Sequence, residues 1–263
     1  TGMKKIECII MDWAGTAVDY GCFAPVAAFI EAFAEKGLVI DVVQTRKPMG
    51  LPKIQHIREL LSMPEVNEQF VARNQRAWTE EDVAELNRLF EKHLFASLEN
   101  YTDPIPGVIP TLEKLRAEGL KIGSTTGYTR EMMDVVLPAA QAKGYRVDYC
   151  ATPNLLPSGR PAPYMIFENL TKLVIPSLDA VVKVGDTIAD IKEGVNAKVW
   201  SVGVILGSNE MALTEEETKS MPVDELEARI AEVKERMLAA GASYVIRTID
   251  ELPALIDQIN ADR

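Results

Sequence analysis

Five places in this chain hold residues able to do chemistry. Asp12 ends the apolar run Ile9-Ile10-Met11, and the small, turn-forming Ala14-Gly15-Thr16 comes just after it. A carboxylate at the end of a buried strand, beside a turn whose amides can face an anion, is placed to handle charge away from water. Further on, Ser124-Thr125-Thr126-Gly127 offers three hydroxyls and a flexible backbone at another strand end. Gly159-Arg160-Pro161 sets a permanent cation in a loop stiffened by proline, and a guanidinium can hold a phosphate through two oxygens. The run Ala180-Val181-Val182-Lys183-Val184 ends in Gly185-Asp186-Thr187, with Asp190 in the helical stretch beyond. Asp186 could bind a metal, whereas Asp190 equally suits a first helical turn, where a carboxylate favours the dipole. The fifth place is Lys53. Pro52 suits a first helical turn, which leaves Lys53 at the positive end of the dipole, where a cation is electrostatically misplaced. His56 lies three residues on, on the same face. In a dry site both effects lower the pKa of the amine toward neutrality, and a neutral amine can attack a carbonyl.

Two textures in the chain would have to position these groups. The segments KKIECIIM, LKIGSTT, VDYCAT, AVVKVGD, KVWSVGV and SYVIRT each look like a strand ending near Gly, Thr or Asp. Helical segments such as IPTLEKLRAEG, TREMMDVVLPAAQAKG, MIFENLTKL and TIADIKEGVNA lie between them. Such alternation predicts a parallel, Rossmann-like α/β sheet with chemistry at the carboxyl ends of its strands. Residues 21–100 contain almost nothing strand-like, and their apolar spacing is helical throughout. The chain is therefore expected to form an α/β core from residues 1–20 and 101–263, with an all-helical insertion at 21–100 after the first strand. A further charged helix is expected over 222–240.

Bulk properties narrow the function. The 263 residues are 47% hydrophobic and 25% charged, enough for a full core plus a smaller inserted unit. A net charge of -11 with no dense basic block argues against nucleic acid as a partner. No run of about 18 uncharged apolar residues is present to span a bilayer. The N-terminus lacks a signal-peptide pattern, so a cytosolic protein is expected. Cys8, Cys22 and Cys150 are odd in number and irregularly spaced, which suggests neither a disulfide framework nor a zinc site.

In this order on an α/β sheet, Asp12, Thr126, Arg160 and Asp186 resemble the haloacid dehalogenase superfamily of phosphoryl-transfer enzymes. The resemblance implies that Asp12 attacks phosphorus and that Thr126 and Arg160 bind phosphoryl oxygens. It also implies that Mg2+ is held by Asp12, Asp186 and the carbonyl of Ala14, a ligand set of the oxygen type magnesium prefers. Most phosphatases of that superfamily carry a second aspartate where this chain has Ala14, to protonate a leaving alcohol. An amine on Lys53 offers another outlet: an imine beta to phosphorus makes the carbon leaving group an enamine. The combination of DWAGTAVDYG, RKPMGLPKIQH, STTGYTREMM, SGRPAP and KVGDT resembles the phosphonoacetaldehyde hydrolase (phosphonatase) family.

That family hydrolyses the carbon–phosphorus bond of a small-molecule phosphonate, giving acetaldehyde and phosphate during degradation of 2-aminoethylphosphonate. The resemblance implies Lys53 as the Schiff-base residue, His56 as its proton-transfer partner, and Met49, Gly50 and Tyr128 beside the substrate. It further implies a homodimer joined through the helical caps. Two other readings stay open on residues alone: a phosphomonoester phosphatase or phosphomutase of the same superfamily, and a binding protein that has lost its chemistry.

Overall fold

A computed structural model describes residues 5–262. Five short strands, β1 (Cys8–Met11), β2 (Lys121–Ser124), β3 (Val181–Gly185), β4 (Trp200–Val204) and β5 (Tyr244–Ile246), form one all-parallel sheet in the order β2-β1-β3-β4-β5. Parallel strands need crossovers and end up covered on both faces, and every residue of β1 is buried. Alternation along β1 divides its side chains between two cores. Ile9 and Met11 join the larger core, while Cys8 and Ile10 pack with Ile166, Leu170 and Leu173 on the opposite face.

Between β1 and β2 the chain is helical: α1 (Ala24–Glu35), α2 (Val42–Arg46), α3 (Lys53–Ser62), α4 (Pro64–Asn74) and α5 (Glu80–Ser97). Pro25 and Pro64 lie in the first turns of α1 and α4, where a missing N–H costs nothing. Asp41 and Gln44 close α2 in a reciprocal capping box. Phe29, Phe33, Leu60, Phe70, Leu86 and Phe90 are buried at helical spacing on the facing surfaces of this segment. The segment leaves and rejoins the sheet side by side, since Asp19 N–H donates to Asp103 O and Ile105 N–H to Ala17 O. Asp19 also caps α1, accepting from the backbone of Phe23 and Ala24, and burial raises its carboxyl to about 6.

The remaining helices wrap the sheet: α6 (Val108–Ala117), α7 (Arg130–Ala142), α8 (Tyr164–Leu173), α9 (Ile188–Ala197), α10 (Glu215–Ser220), α11 (Val223–Ala239) and α12 (Leu252–Ala261). The expected helix over 222–240 is α11, preceded by Pro222 and followed by Gly241 at φ +108. One expected strand, VDYCAT, does not form. The stretch runs alongside β2, with Asp148 N–H donating to Ile122 O and Ala151 N–H to Ser124 O. Side chains intercept the return bonds, however. Asp148 Oδ2 accepts from Ile122 N–H and Asn169 Oδ1 from Ser124 N–H, so a single bridge at Thr125 and Ala151 replaces a ladder. No helix among the described residues is long and apolar enough to cross a membrane.

Candidate active site

Sheet register levels the first group of side chains. Met11 is paired with Ser124 on one side and Val184 on the other. Asp12 N–H extends the ladder to Val184 O at 3.0 Å, and Thr125 N–H reaches Met11 O at 3.0 Å. Asp12, the 124–127 turn and Asp186 therefore stand together at the carboxyl ends of three adjacent strands. The expectation that Gly15 and Thr16 present free amides is not met: their N–H groups donate to Val18 O and Trp13 O within the turn. The Thr16 hydroxyl faces the site instead, 2.9 Å from Asp186 Oδ1 and 3.3 Å from Asp12 Oδ2.

Oxygens of Asp12, Asp186 and Asp190 all lie within 4.8 Å of one another, and all three residues are buried. Burial and the neighbouring carboxylate of Asp12 hold the Asp186 carboxyl well above its ordinary range. Such crowding suits a hard cation with oxygen ligands. Asp190 is largely committed elsewhere. Its Oδ2 accepts from Thr187 N–H, the Thr187 hydroxyl and Asp186 N–H, closing a capping box at the start of α9. Its Oδ1 lies 2.7 Å from Lys183 Nζ and 3.2 Å from Arg160 Nη2, and these cations lower its pKa.

Arg160 enters from the loop before α8 and is buried. Its Nη2 donates to Asp12 Oδ1 at 2.7 Å and to Thr125 Oγ1 at 2.9 Å; its Nε donates to Glu193 Oε1 at 3.3 Å. Glu193 Oε1 also accepts from Thr125 Oγ1 and lies 3.3 Å from Lys183 Nζ. Three buried carboxylates, Asp12, Asp190 and Glu193, thus pair with two buried cations, each cation with several partners, which is the condition under which buried charge is tolerated. Thr126 is buried beside them and accepts Tyr128 N–H at 3.0 Å, leaving its hydroxyl hydrogen free to donate.

Helix α3 brings the amine. Lys53 is the first residue of α3, is only 6% exposed, and lines one cavity with Asp12, Ala14, Thr126, Tyr128 and Arg160. Cys22, Met49 and Gly50 line the same cavity. Lys53 Nζ is 4.0 Å from Met49 Sδ and 5.0 Å from the centre of the Tyr128 ring. Its pKa falls from 10.5 to about 8, with burial as the foremost cause; the cation of Arg160 contributes, and His56 is not among the causes. Direction follows the sequence expectation, but desolvation carries it. Burial likewise keeps the Cys22 thiol and Tyr128 phenol protonated. Met49 both packs with Cys22 and Val26 and faces the amine.

Backbone contact seats the 47–52 loop on the core. Gly50 has φ +99 and its carbonyl accepts from Arg160 Nη1 at 3.3 Å; a Cβ there would strike the Thr187 hydroxyl. Across the cavity, a Cβ on Gly127 would lie 2.9 Å from Leu51 O.

His56 does not line the cavity. It stacks on Phe29 with ring centres 4.1 Å apart, and its Nε2 lies 2.7 Å from Thr45 O. A carbonyl only accepts, so Nε2 carries the proton and Nδ1 is an unprotonated nitrogen with no partner among the described residues. Burial, followed by the charge of Lys53, lowers its pKa from 6.5 to about 3. The folded protein therefore keeps His56 neutral, while the unfolded chain protonates below about 6.5. This contribution to stability is complete above pH 6.5 and is lost as pH falls toward 3. Between pH 7 and pH 4, the unfolding free energy in urea should drop up to about 3 kcal/mol further in the native protein than in His56→Gln. Parallel profiles would refute a buried neutral imidazole.

Sequence reasoning missed Lys183, Glu193 and Asn209. Lys183 did carry a signal, being a lone cation inside an apolar strand, which requires a buried partner. Glu193 follows Asp190 by three residues and shares its helix face. Asn209 had no local signature: its N–H donates to Asp186 Oδ2 at 2.8 Å from the loop after β4. His93 bonds Glu31 and Glu35 on the surface. All three cysteines are free and buried.

A family model described as haloacid dehalogenase-like hydrolase matches residues 6–198. The chain is 86% identical over 259 residues to a Bacteroides fragilis protein named phosphonoacetaldehyde hydrolase, covering 98% of each chain. It is 64% identical to the protein of that name from Parabacteroides distasonis, again over 98% of each. Among solved structures, a phosphonoacetaldehyde hydrolase-like protein from Oleispira antarctica superposes with a TM-score of 0.96 at 33% identity, over 98% of this chain and 94% of that one. The chain belongs to the haloacid dehalogenase-like hydrolases and, within them, to the phosphonoacetaldehyde hydrolase family.

Proposed function

We propose that the protein hydrolyses the carbon–phosphorus bond of phosphonoacetaldehyde, releasing acetaldehyde and phosphate through a lysine Schiff base and an aspartyl phosphate. The observation that carries this reading is a buried amine, Lys53, in one cavity with Asp12, at a site where Ala14 stands in place of a second acid. Residues 21–100 act as a cap over a core of 1–20 and 101–263.

Lys53 Nζ attacks the aldehyde carbon, and loss of water gives a protonated imine. A carboxylate oxygen of Asp12 then attacks phosphorus; the carbon–phosphorus bond breaks and its electron pair moves into the iminium, forming an enamine. Protonation at carbon and hydrolysis of the resulting imine release acetaldehyde, and water frees phosphate from Asp12. Arg160 and the Thr126 hydroxyl hold phosphoryl oxygens, and Met49, Gly50 and Tyr128 confine the aldehyde end. His56 enters the same reading as the proton-transfer partner of Lys53, whose charge reaches its buried ring. Asp12, Asp186 and the carbonyl of Ala14 would hold Mg2+, whose chemistry there is to offset charge between a carboxylate and an anionic phosphoryl group. Homodimer formation through the caps belongs to the same reading. Val39 and Val43, exposed on the cap, support it, and sedimentation at twice the chain mass would check it.

Neutral amine is the reactive form. A pKa of about 8 instead of 10.5 raises its fraction at pH 7 by about 300-fold. Incubation with phosphonoacetaldehyde and borohydride should yield a reduced adduct on Lys53. Its initial rate should climb about tenfold per pH unit below 8 and level above it. No adduct on Lys53 in active protein would refute the imine, leaving a phosphomonoester reaction.

Ala14→Asp tests why the second acid is missing. Ala14 packs beside Cys22, Val26 and Met49. A carboxylate there would pair with Lys53 and hold it as ammonium. Carbon–phosphorus cleavage should fall at least about tenfold; a gain in the acetaldehyde assay would sink the account.

A further inference from the structure

A buried arginine that the proposed reaction does not use ties the cap to the core. Arg46 ends α2, immediately before the 47–52 loop, and is 6% exposed. Its Nη1 donates to Gly21 O at 2.6 Å and to Asn209 Oδ1 at 3.0 Å. Asn209 answers, its Nδ2 donating to Arg46 O at 3.1 Å. Asn209 is 1% exposed, and its own N–H donates to Asp186 Oδ2 at 2.8 Å. One residue thus grips the segment that delivers Lys53 with its side chain and an acidic group of the site with its main chain.

The reciprocal bonds exist only while the loop is seated. Contacts made in one arrangement and lost in the other bias the equilibrium between them. A misplacement of about 1 Å between reacting groups can cost about a hundredfold in rate.

We propose that Arg46 and Asn209 form a latch that seats the Lys53-bearing loop over the acidic cluster, with Asn209 a positioning residue for the reaction. The catalytic half of this proposal rests on reading Lys53 as the imine-forming amine; the seating half does not. Asn209→Ser removes both side-chain bonds with Arg46, together with one to Glu210, and leaves the backbone bond to Asp186 in place. The test compares full-length native protein, Asn209→Ser and Arg46→Lys without substrate, following the labelling of individual lysines by trinitrobenzenesulfonate through peptide mass. Lys53 should label at least about tenfold faster in each variant. Lys183, 1% exposed inside the sheet, should label no faster, which separates unlatching from general loosening. In acetaldehyde assays kcat should fall at least about tenfold with KM little changed, because Arg160 and Thr126 are untouched. Unchanged Lys53 labelling, or equal acceleration at Lys53 and Lys183, would overturn the latch. Absence of a borohydride adduct in the native protein would instead defeat the imine reading and leave the labelling result standing.

Discussion

Lys53→Arg should lower acetaldehyde production by at least about a thousandfold and abolish the borohydride-trapped adduct. Arginine retains a long stem and a positive charge, so the cavity keeps a cation facing Tyr128. It stays protonated at any working pH and has no amine able to form an imine. Carbon–phosphorus cleavage would then have to expel a carbanion with no electron sink. Inorganic phosphate should still bind, because Thr126 and Arg160 remain, and that retention shows that the variant is folded. A variant with more than a tenth of native activity would mean that Lys53 only balances charge. If such a variant also released phosphate from phosphomonoesters, the phosphatase reading would replace the one proposed.

Asp12→Ala should stop phosphate release by at least about a thousandfold while the Lys53 adduct still forms with phosphonoacetaldehyde and borohydride. The separation follows from geometry: the amine belongs to α3, and the carboxylate follows β1. The same substitution removes an ion-pair partner of Arg160. Breaking a buried pair usually costs about 3–5 kcal/mol. A smaller loss is expected in urea unfolding, since Arg160 keeps Asp190 and Glu193, and Asp186 loses a repulsive neighbour. Phosphate release surviving in Asp12→Ala would rule out the aspartyl phosphate; loss of the adduct as well would show that imine formation depends on that carboxylate.

Local patterns carried much of this in the amino-acid sequence. Short apolar, β-rich runs ending near Gly, Thr or Asp marked all five strands, and helical spacing marked the helices of residues 21–100, because strands buried on both faces read as apolar runs and helices buried on one face leave a helical repeat. Asp12, Arg160 and Asp186 were recognisable as charged residues at strand or loop ends, and Ala14 beside Lys53 pointed to a carbon leaving group. VDYCAT had the composition of a strand as well. Its failure as one was settled by Asp148 and Asn169, whose side chains take amides that a ladder would need. Glu193, Asn209 and the seated 47–52 loop came only from tertiary structure. Their partners lie far along the chain, as when Asn209 bonds Arg46 across 163 residues, and no spacing encodes a hydrogen bond of that range. The chemistry of Lys53 divides the same way: its identity as an amine beside a proline-started helix was written in the sequence, whereas its pKa near 8 was decided by burial, a property of the packed cavity alone.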